Sequence, residues 1–80
     1  MKAIYYKKQG VIELIDEKQK HLADFIIDDD EWFQAKIGNK YYMFNFIDNT
    51  LGMFEAIKDK NTYSVGEFLS PVEIEINEQI

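Results

Sequence analysis

The sequence predicts a mainly β domain, and three observations lead to this fold class. Short apolar runs recur along the chain, they are rich in Ile, Val, Tyr and Phe, and turn-forming residues separate them. β-Branched and aromatic residues favour strands, whereas Gly, Asn and Asp favour the turns between them. We therefore expect one domain over residues 1–80, an antiparallel meander of six or seven short strands that forms a small barrel or a sandwich.

The first two apolar runs, residues 2–8 and 11–16, predict a hairpin. Gln9-Gly10 lies between them, and Gly suits a two-residue loop because it tolerates positive φ. The polar segment that follows leaves an alternative open. A helix around 16–27 packed on the sheet would make the fold α+β, although its apolar stripe is interrupted near its start.

Two further hairpins are predicted between residues 22 and 47. Their turns fall at Asp29-Asp30, within a run of four acids, and at Gly38-Asn39. These residue types are common in tight turns because they tolerate the required backbone geometry. The predicted strands are 22–28, 31–37 and 40–47.

This register predicts which side chains share a face of the sheet. Phe33 should lie opposite Phe44, and Ala35 opposite Tyr42, with Ile26 joining them on the core side. The other face is semi-apolar, so we expect a helix, a sister subunit or another protein to cover it. That face comprises Phe25, Ile27, Trp32, Gln34, Lys36, Tyr41, Met43, Asn45 and Ile47.

The C-terminal half continues the alternation of strands and turns. Residues 51–58 form a predicted strand. Ser64 and Glu67 have the spacing of a capping box, in which both side chains satisfy free amides at a helix start, and this predicts a short helical turn near 65–69. A proline ends that turn, and the alternating Val, Ile and Glu residues of 72–76 predict a half-exposed strand.

Charge and composition narrow the function classes. The chain has nine Lys, no Arg and fifteen acids, which gives a net charge of −6, and the windows 21–35 and 61–80 contain neither Lys nor Arg. A negative chain without Arg is poorly suited to bind phosphate, so we expect neither direct nucleic-acid binding nor binding to a membrane. The N-terminal charges precede no long apolar run, which predicts no signal peptide and a cytoplasmic protein.

No arrangement of residues indicates catalysis, a metal or a cofactor. His21 is the single histidine, cysteine is absent, and no Ser or Thr has a base nearby in sequence. The acids of 28–31 lie in a tight turn, which is too short to wrap a Ca²⁺ ion with six to eight oxygens. We therefore predict a protein that is not an enzyme and binds no cofactor.

The aromatic residues beside the acidic run are the best candidates for a binding site. Trp and Tyr are enriched at binding hot spots because they bury a large area at a low entropic cost. The candidate protein-binding residues are Asp28, Asp29, Asp30, Glu31, Trp32, Tyr41 and Met43.

The leading functional expectation is a small acidic protein-binding module. A partner with a basic surface fits the windows that contain neither Lys nor Arg. The composition also suits a phage or mobile-element accessory protein, which would act in the host cytoplasm and inhibit a nucleic-acid-binding protein by presenting acidic groups. One alternative is a structural or assembly protein that associates with itself as a homo-oligomer. Another is a β-barrel that binds a small ligand or an ion.

Overall fold

The computed structural model describes residues 1–80 as seven strands in one mixed sheet that is nearly closed into a barrel. This confirms the prediction of a mainly β small barrel. No helix is present that could span a membrane. The strands are β1 (Lys2–Tyr6), β2 (Val11–Ile15), β3 (His21–Ile26), β4 (Trp32–Ile37), β5 (Lys40–Ile47), β6 (Thr50–Asp59) and β7 (Thr62–Asn77).

The sheet consists of two antiparallel meanders that meet at a parallel pair. Its strand order is β3-β2-β1-β7-β6-β5-β4, and β1 and β7 run in the same direction, from Lys2 opposite Glu73 to Tyr6 opposite Asn77. The predicted antiparallel meander of short strands did not include this parallel pair or a strand as long as β7. The 16-residue β7 pairs first with β6 and, beyond Val72, with β1, so one long strand joins the two meanders.

The barrel closes at a seam between β3 and β4, which lie at the two ends of the strand order. The rings of Phe25 and Phe33 stack across this seam with their centroids 4.8 Å apart. The predicted hairpin at Asp29-Asp30 is wrong, because β3 and β4 form no backbone ladder. Residues 27–31 instead form a connecting loop.

The core lies between the strands of the barrel and is apolar throughout. Ala3, Ile12, Leu14 and Phe44 have no exposed surface, and no buried polar side-chain atom lacks a hydrogen bond. The predicted pairing in β4 and β5 is confirmed, with Phe33 opposite Phe44. The same ladder places Ala35 opposite Tyr42, also as predicted.

Strand β3 has the opposite phase to the one predicted from sequence. Ile26 is 70% exposed, whereas Phe25 is buried in the core. The reason is that β3 pairs with β2, where Phe25 lies opposite the buried Ile12, and not with β4. Phe25 and Ile27 were both predicted on the semi-apolar face. In the structure Phe25 belongs to the core and Ile27 packs against it.

Neither predicted helical segment is helical. Residues 65–69 lie within β7, where the Ser64 hydroxyl donates across the ladder to the Ile57 carbonyl oxygen at 3.4 Å and caps no helix. The alternative helix at 16–27 is also absent. Asp16 begins a turn in which its Oδ1 accepts hydrogen bonds from the Lys18 and Lys20 amides, and β3 follows.

The turn residues explain how the hairpins close. Gly38 has a φ of +64°, which the two-residue loop between β4 and β5 requires and which glycine adopts without strain. The first hairpin differs from its prediction. Its turn covers four residues, 7–10, because the β1–β2 ladder ends at Tyr6 opposite Val11.

Candidate protein-binding face

The surface of β4, β5, β6 and β7 that points away from the core carries an exposed row of aromatic rings. We call this surface the outer face, and we call Trp32, Phe54 and Phe68 the aromatic row. Trp32 lies 5.0 Å from Phe54, and Phe54 lies 5.2 Å from Phe68, centroid to centroid, both in edge-to-face geometry. Trp32 is 40% exposed and Phe68 is 56% exposed, so the row forms an accessible apolar surface.

Strand pairing places the row across the sheet. Phe54 lies opposite Met43 on one side and opposite Phe68 on the other, so all three side chains share the outer face. Gly52 makes room for the rings, because a Cβ atom there would lie 3.3 Å from both Phe54 and Phe68. Side chains alternate between the faces of a sheet, so these positions point away from Met53 and Phe44.

A second aromatic pair extends the outer face toward the other end of the strands. The rings of Tyr41 and Tyr63 lie 4.8 Å apart, and the Lys36 ammonium lies 5.8 Å from the Tyr41 centroid. Such cation–π contacts are weak at exposed sites, about 0.5–1 kcal/mol. They nevertheless show that Lys36 projects onto the same face as the rings.

The β6–β7 hairpin projects beyond β5 as a two-stranded arm. The β5–β6 ladder ends at Glu55, whereas β6 and β7 remain paired to Asp59 opposite Thr62. Ile57 and Val65 within this arm are both exposed. Two-stranded ribbons are only marginally stable in water, so the arm gains stability if another surface packs against it.

Charges are separated along the strands of this half of the barrel. The acidic end consists of the loop acids 28–31 together with Asp48 in the β5–β6 turn. The basic end lies at the opposite ends of the same strands and carries four lysines and one acid. No residue of either end forms an ion pair within the chain. The residues of the basic end are Lys36, Lys40, Lys58, Asp59 and Lys60.

Backbone hydrogen bonds fix the acidic loop against the barrel. The Phe46 amide donates to the Glu31 carbonyl oxygen at 2.8 Å, and the Ile27 amide donates to the Gly10 carbonyl oxygen at 2.7 Å. Within the loop, the Asp30 amide donates to Asp28 Oδ1 at 2.8 Å. These bonds hold the exposed carboxylates close to the start of β4. No three or more His, Cys, Asp or Glu side chains come together in an arrangement that could hold a metal ion.

The sequence-predicted site residues are only partly brought together. Asp28 to Glu31 directly precede Trp32, as the chain requires. Met43 and Tyr41 share the outer face with Trp32, but the ring in contact with Trp32 belongs to Phe54. Phe54 and Phe68 were missed. The alternation of β6 could have identified Phe54, whereas Phe68 was hidden by the helical turn predicted for 65–69.

A small polar cluster lies on the other half of the barrel. The Tyr6 hydroxyl donates to Glu13 Oε1 at 3.2 Å, and His21 Nδ1 lies 2.8 Å from Glu13 Oε2. Burial, followed by the negative charge of Glu13, raises the pKa of Tyr6 above its ordinary value of 10.0. This cluster links β1, β2 and β3 through side chains. A surface depression lies elsewhere, beside Glu75–Gln79.

No family model, curated protein or solved structure matches this chain. Its function is therefore inferred from the geometry and chemistry of its own surfaces. Among these surfaces, the outer face combines the exposed aromatic rings with the separated charges.

Proposed function

We propose that this protein is a non-enzymatic protein-binding module that contacts its partner through the outer face of β4–β7. One observation carries the proposal, the exposure of the aromatic row. Trp32 and Phe68 are both exposed, and each contacts the half-buried Phe54 between them. Soluble proteins seldom expose joined apolar rings without a binding role.

The chemistry of the row supports this role. Aromatic rings bury a large area on binding and lose few rotamers, so they often supply most of the binding free energy. The row lies on paired strands and not on a loop, and its edge-to-face contacts hold the rings in place. A partner would therefore meet a largely preformed surface, which lowers the entropic cost of association.

The test compares capture of partners by three versions of the tagged protein. The wild type, a Trp32→Ala/Phe68→Ala double variant and an Ile26→Ala control are incubated with cell lysate, and the bound proteins are identified by mass spectrometry. Ile26 is an exposed apolar residue on β3, outside the outer face. We expect the double variant to lose the partner that the wild type and the control retain. Equal capture by all three versions would contradict the proposal.

The acidic loop favours a second candidate, inhibition of a basic nucleic-acid-binding protein, as expected of a phage or mobile-element accessory protein. Its support is that the four carboxylates of Asp28–Glu31 are exposed, held by backbone hydrogen bonds and unpaired with any cation of the chain. Ordered carboxylates can occupy phosphate positions in a basic groove.

A competition assay tests this candidate on a basic protein captured by the wild type. A fluorescent nucleic-acid probe bound to that protein should be displaced by the wild type. The Asp28→Asn/Asp29→Asn/Asp30→Asn/Glu31→Gln variant should need at least about tenfold more protein for the same displacement, since charge pairs at an interface contribute more than 1.4 kcal/mol together. Unchanged displacement would rule out charge mimicry by this loop.

A further inference from the structure

We propose that the partner of the outer face is a second copy of this chain, bound in a two-fold dimer whose axis runs along the aromatic row. This inference rests on the proposed function, because it names the occupant of the same face. The axis lies in the interface and crosses the strands. Each strand of one copy therefore faces the same strand of the other copy, running in the opposite direction.

The direction of the row is the first support for this arrangement. The row extends from Trp32 in β4 to Phe68 in β7, across the four strands and not along one of them. A two-fold axis along the row brings each exposed ring against the same ring of the other copy. The rings would then occupy the centre of the interface, where burial is most complete and hot spots are found.

The separated charges favour a two-fold axis that crosses the strands over an axis parallel to them. With the axis across the strands, the acidic end of one copy faces the basic end of the other, twice in each dimer. An axis parallel to the strands would place the acidic end of one copy against the acidic end of the other, and the basic end against the basic end, which is repulsive. Because these charges form no ion pairs within the chain, they are free to act between copies.

The size of the face is sufficient for a dimer. With strands about 4.8 Å apart and residues about 3.3 Å apart along each strand, four strands of eight residues cover roughly 500 Å². Two copies would bury roughly 1,000 Å², which is near the lower limit for a stable interface. The exposed side chain of Val65, which lies opposite Ala56 in the arm, adds to the apolar area available.

The first experiment measures mass and affinity by sedimentation velocity, from about 1 µM to 1 mM protein at low salt. The wild type should approach twice the chain mass of 9.5 kDa. Phe68→Glu places a charge on the axis, opposite its own copy, and should weaken the dimer at least about 30-fold. The matched control Ile26→Glu, on the exposed side of β3, should change the affinity by no more than about twofold. Circular dichroism verifies that both variants fold.

The second experiment tests the direction of the axis by reversing charges. One variant carries Asp28→Lys, Asp29→Lys and Asp30→Lys, and the other carries Lys36→Glu, Lys58→Glu and Lys60→Glu. Alone, each variant should dimerise more weakly than the wild type, because both of its ends have the same sign. Mixed in equal amounts, the two variants should form a heterodimer, and added salt should weaken it.

The outcomes separate this inference from the proposed function. A wild type that stays at 9.5 kDa up to about 1 mM overturns self-pairing. The proposed function nevertheless stands if the Trp32→Ala/Phe68→Ala variant loses a captured partner. A dimer that Phe68→Glu leaves intact overturns the outer face as the interface. A dimer that forms normally when only one end is reversed overturns the axis.

Discussion

At the scale of single residues, the tight turns show how backbone geometry and side-chain type agree or conflict. Asp48 and Asn49 close the β5–β6 hairpin with φ values of 52° and 62°, and both residue types tolerate this left-handed region. Lys60 occupies the same region at the tip of the arm, with a φ of 58°. A lysine gains nothing from this conformation, which costs about 1 kcal/mol or more for a residue with a Cβ atom.

Replacing Lys60 by glycine should therefore stabilise the protein. We expect Lys60→Gly to raise the free energy of unfolding by up to about 1 kcal/mol, since the relief of strain exceeds the added entropy of the unfolded chain. The melting temperature should rise by about 4–8 °C per kcal/mol in a domain of this size. Lys58→Gly, within the β6 ladder, is the control and should lower the melting temperature. A lower melting temperature for Lys60→Gly would contradict the claim that Lys60 is strained in this turn.

At the scale of elements, β7 shows why one strand can join two meanders. Its ladder with β6 contains register shifts opposite Met53, Phe54 and Ala56, and such bulges bend a strand and increase its twist. Gly66 lies in this irregular part. A Cβ atom there would come within 2.8 Å of the Glu55 Cβ atom, so the strands approach closely only because residue 66 has no side chain.

Gly66→Ala should consequently destabilise the protein. The added methyl group must displace Glu55 or the strand, at a cost of about 1–3 kcal/mol. Urea denaturation measures this as a lower midpoint. The neighbouring Glu67→Ala replaces an exposed side chain and should change stability by no more than about 0.5 kcal/mol. Equal urea midpoints for Gly66→Ala and Glu67→Ala would mean that β6 and β7 accommodate the added methyl group without loss of stability, which would contradict this prediction.

At the scale of the whole molecule, the parallel pair of β1 and β7 holds the two meanders together. The Lys2 ammonium donates a hydrogen bond to Glu75 Oε1 at 2.9 Å across this pair. That hydrogen bond, together with the charge of Glu75, raises the pKa of Lys2 above its ordinary value of 10.5. Tyr6, also in β1, has a raised pKa because of burial and the nearby Glu13.

Stability should therefore fall at alkaline pH. Both groups hold their proton more tightly in the folded state, so their contribution is complete below pH 10 and is lost as the pH rises through the two raised pKa values. Urea midpoints measured from neutral pH upward should be level and then decline above about pH 10. Glu75→Gln should reduce this decline, because it removes the main cause of the Lys2 shift.

The matched control is Glu67→Gln, which removes an exposed carboxylate that forms no ion pair. It should leave the alkaline decline of the wild type unchanged. Should Glu75→Gln retain the full decline, the Lys2–Glu75 contact would have no part in it. Because both residues of this pair are partly exposed, the effect should also diminish with added salt.

Sequence by itself determined the features that depend on residues close together in the chain. Alternation and turn chemistry act over a few residues, so the pairing of Phe33 with Phe44, the Gly38-Asn39 turn and the mainly β class were all predictable. The acids beside Trp32 were visible for the same reason. The helical turn at 65–69 failed, because strand pairing across β6 and β7 outweighed a local capping pattern.

Only the tertiary structure decided the contacts between distant parts of the chain. The parallel pairing of Lys2 with Glu73 depends on which strand edges remain free after the hairpins form, and no local pattern encodes that choice. The phase of β3 followed from its pairing with β2, which buried Phe25 and exposed Ile26. The aromatic row arose in the same way. Its rings come from three strands that the sheet aligns, so the surface that we propose as the dimer interface exists only in the folded chain.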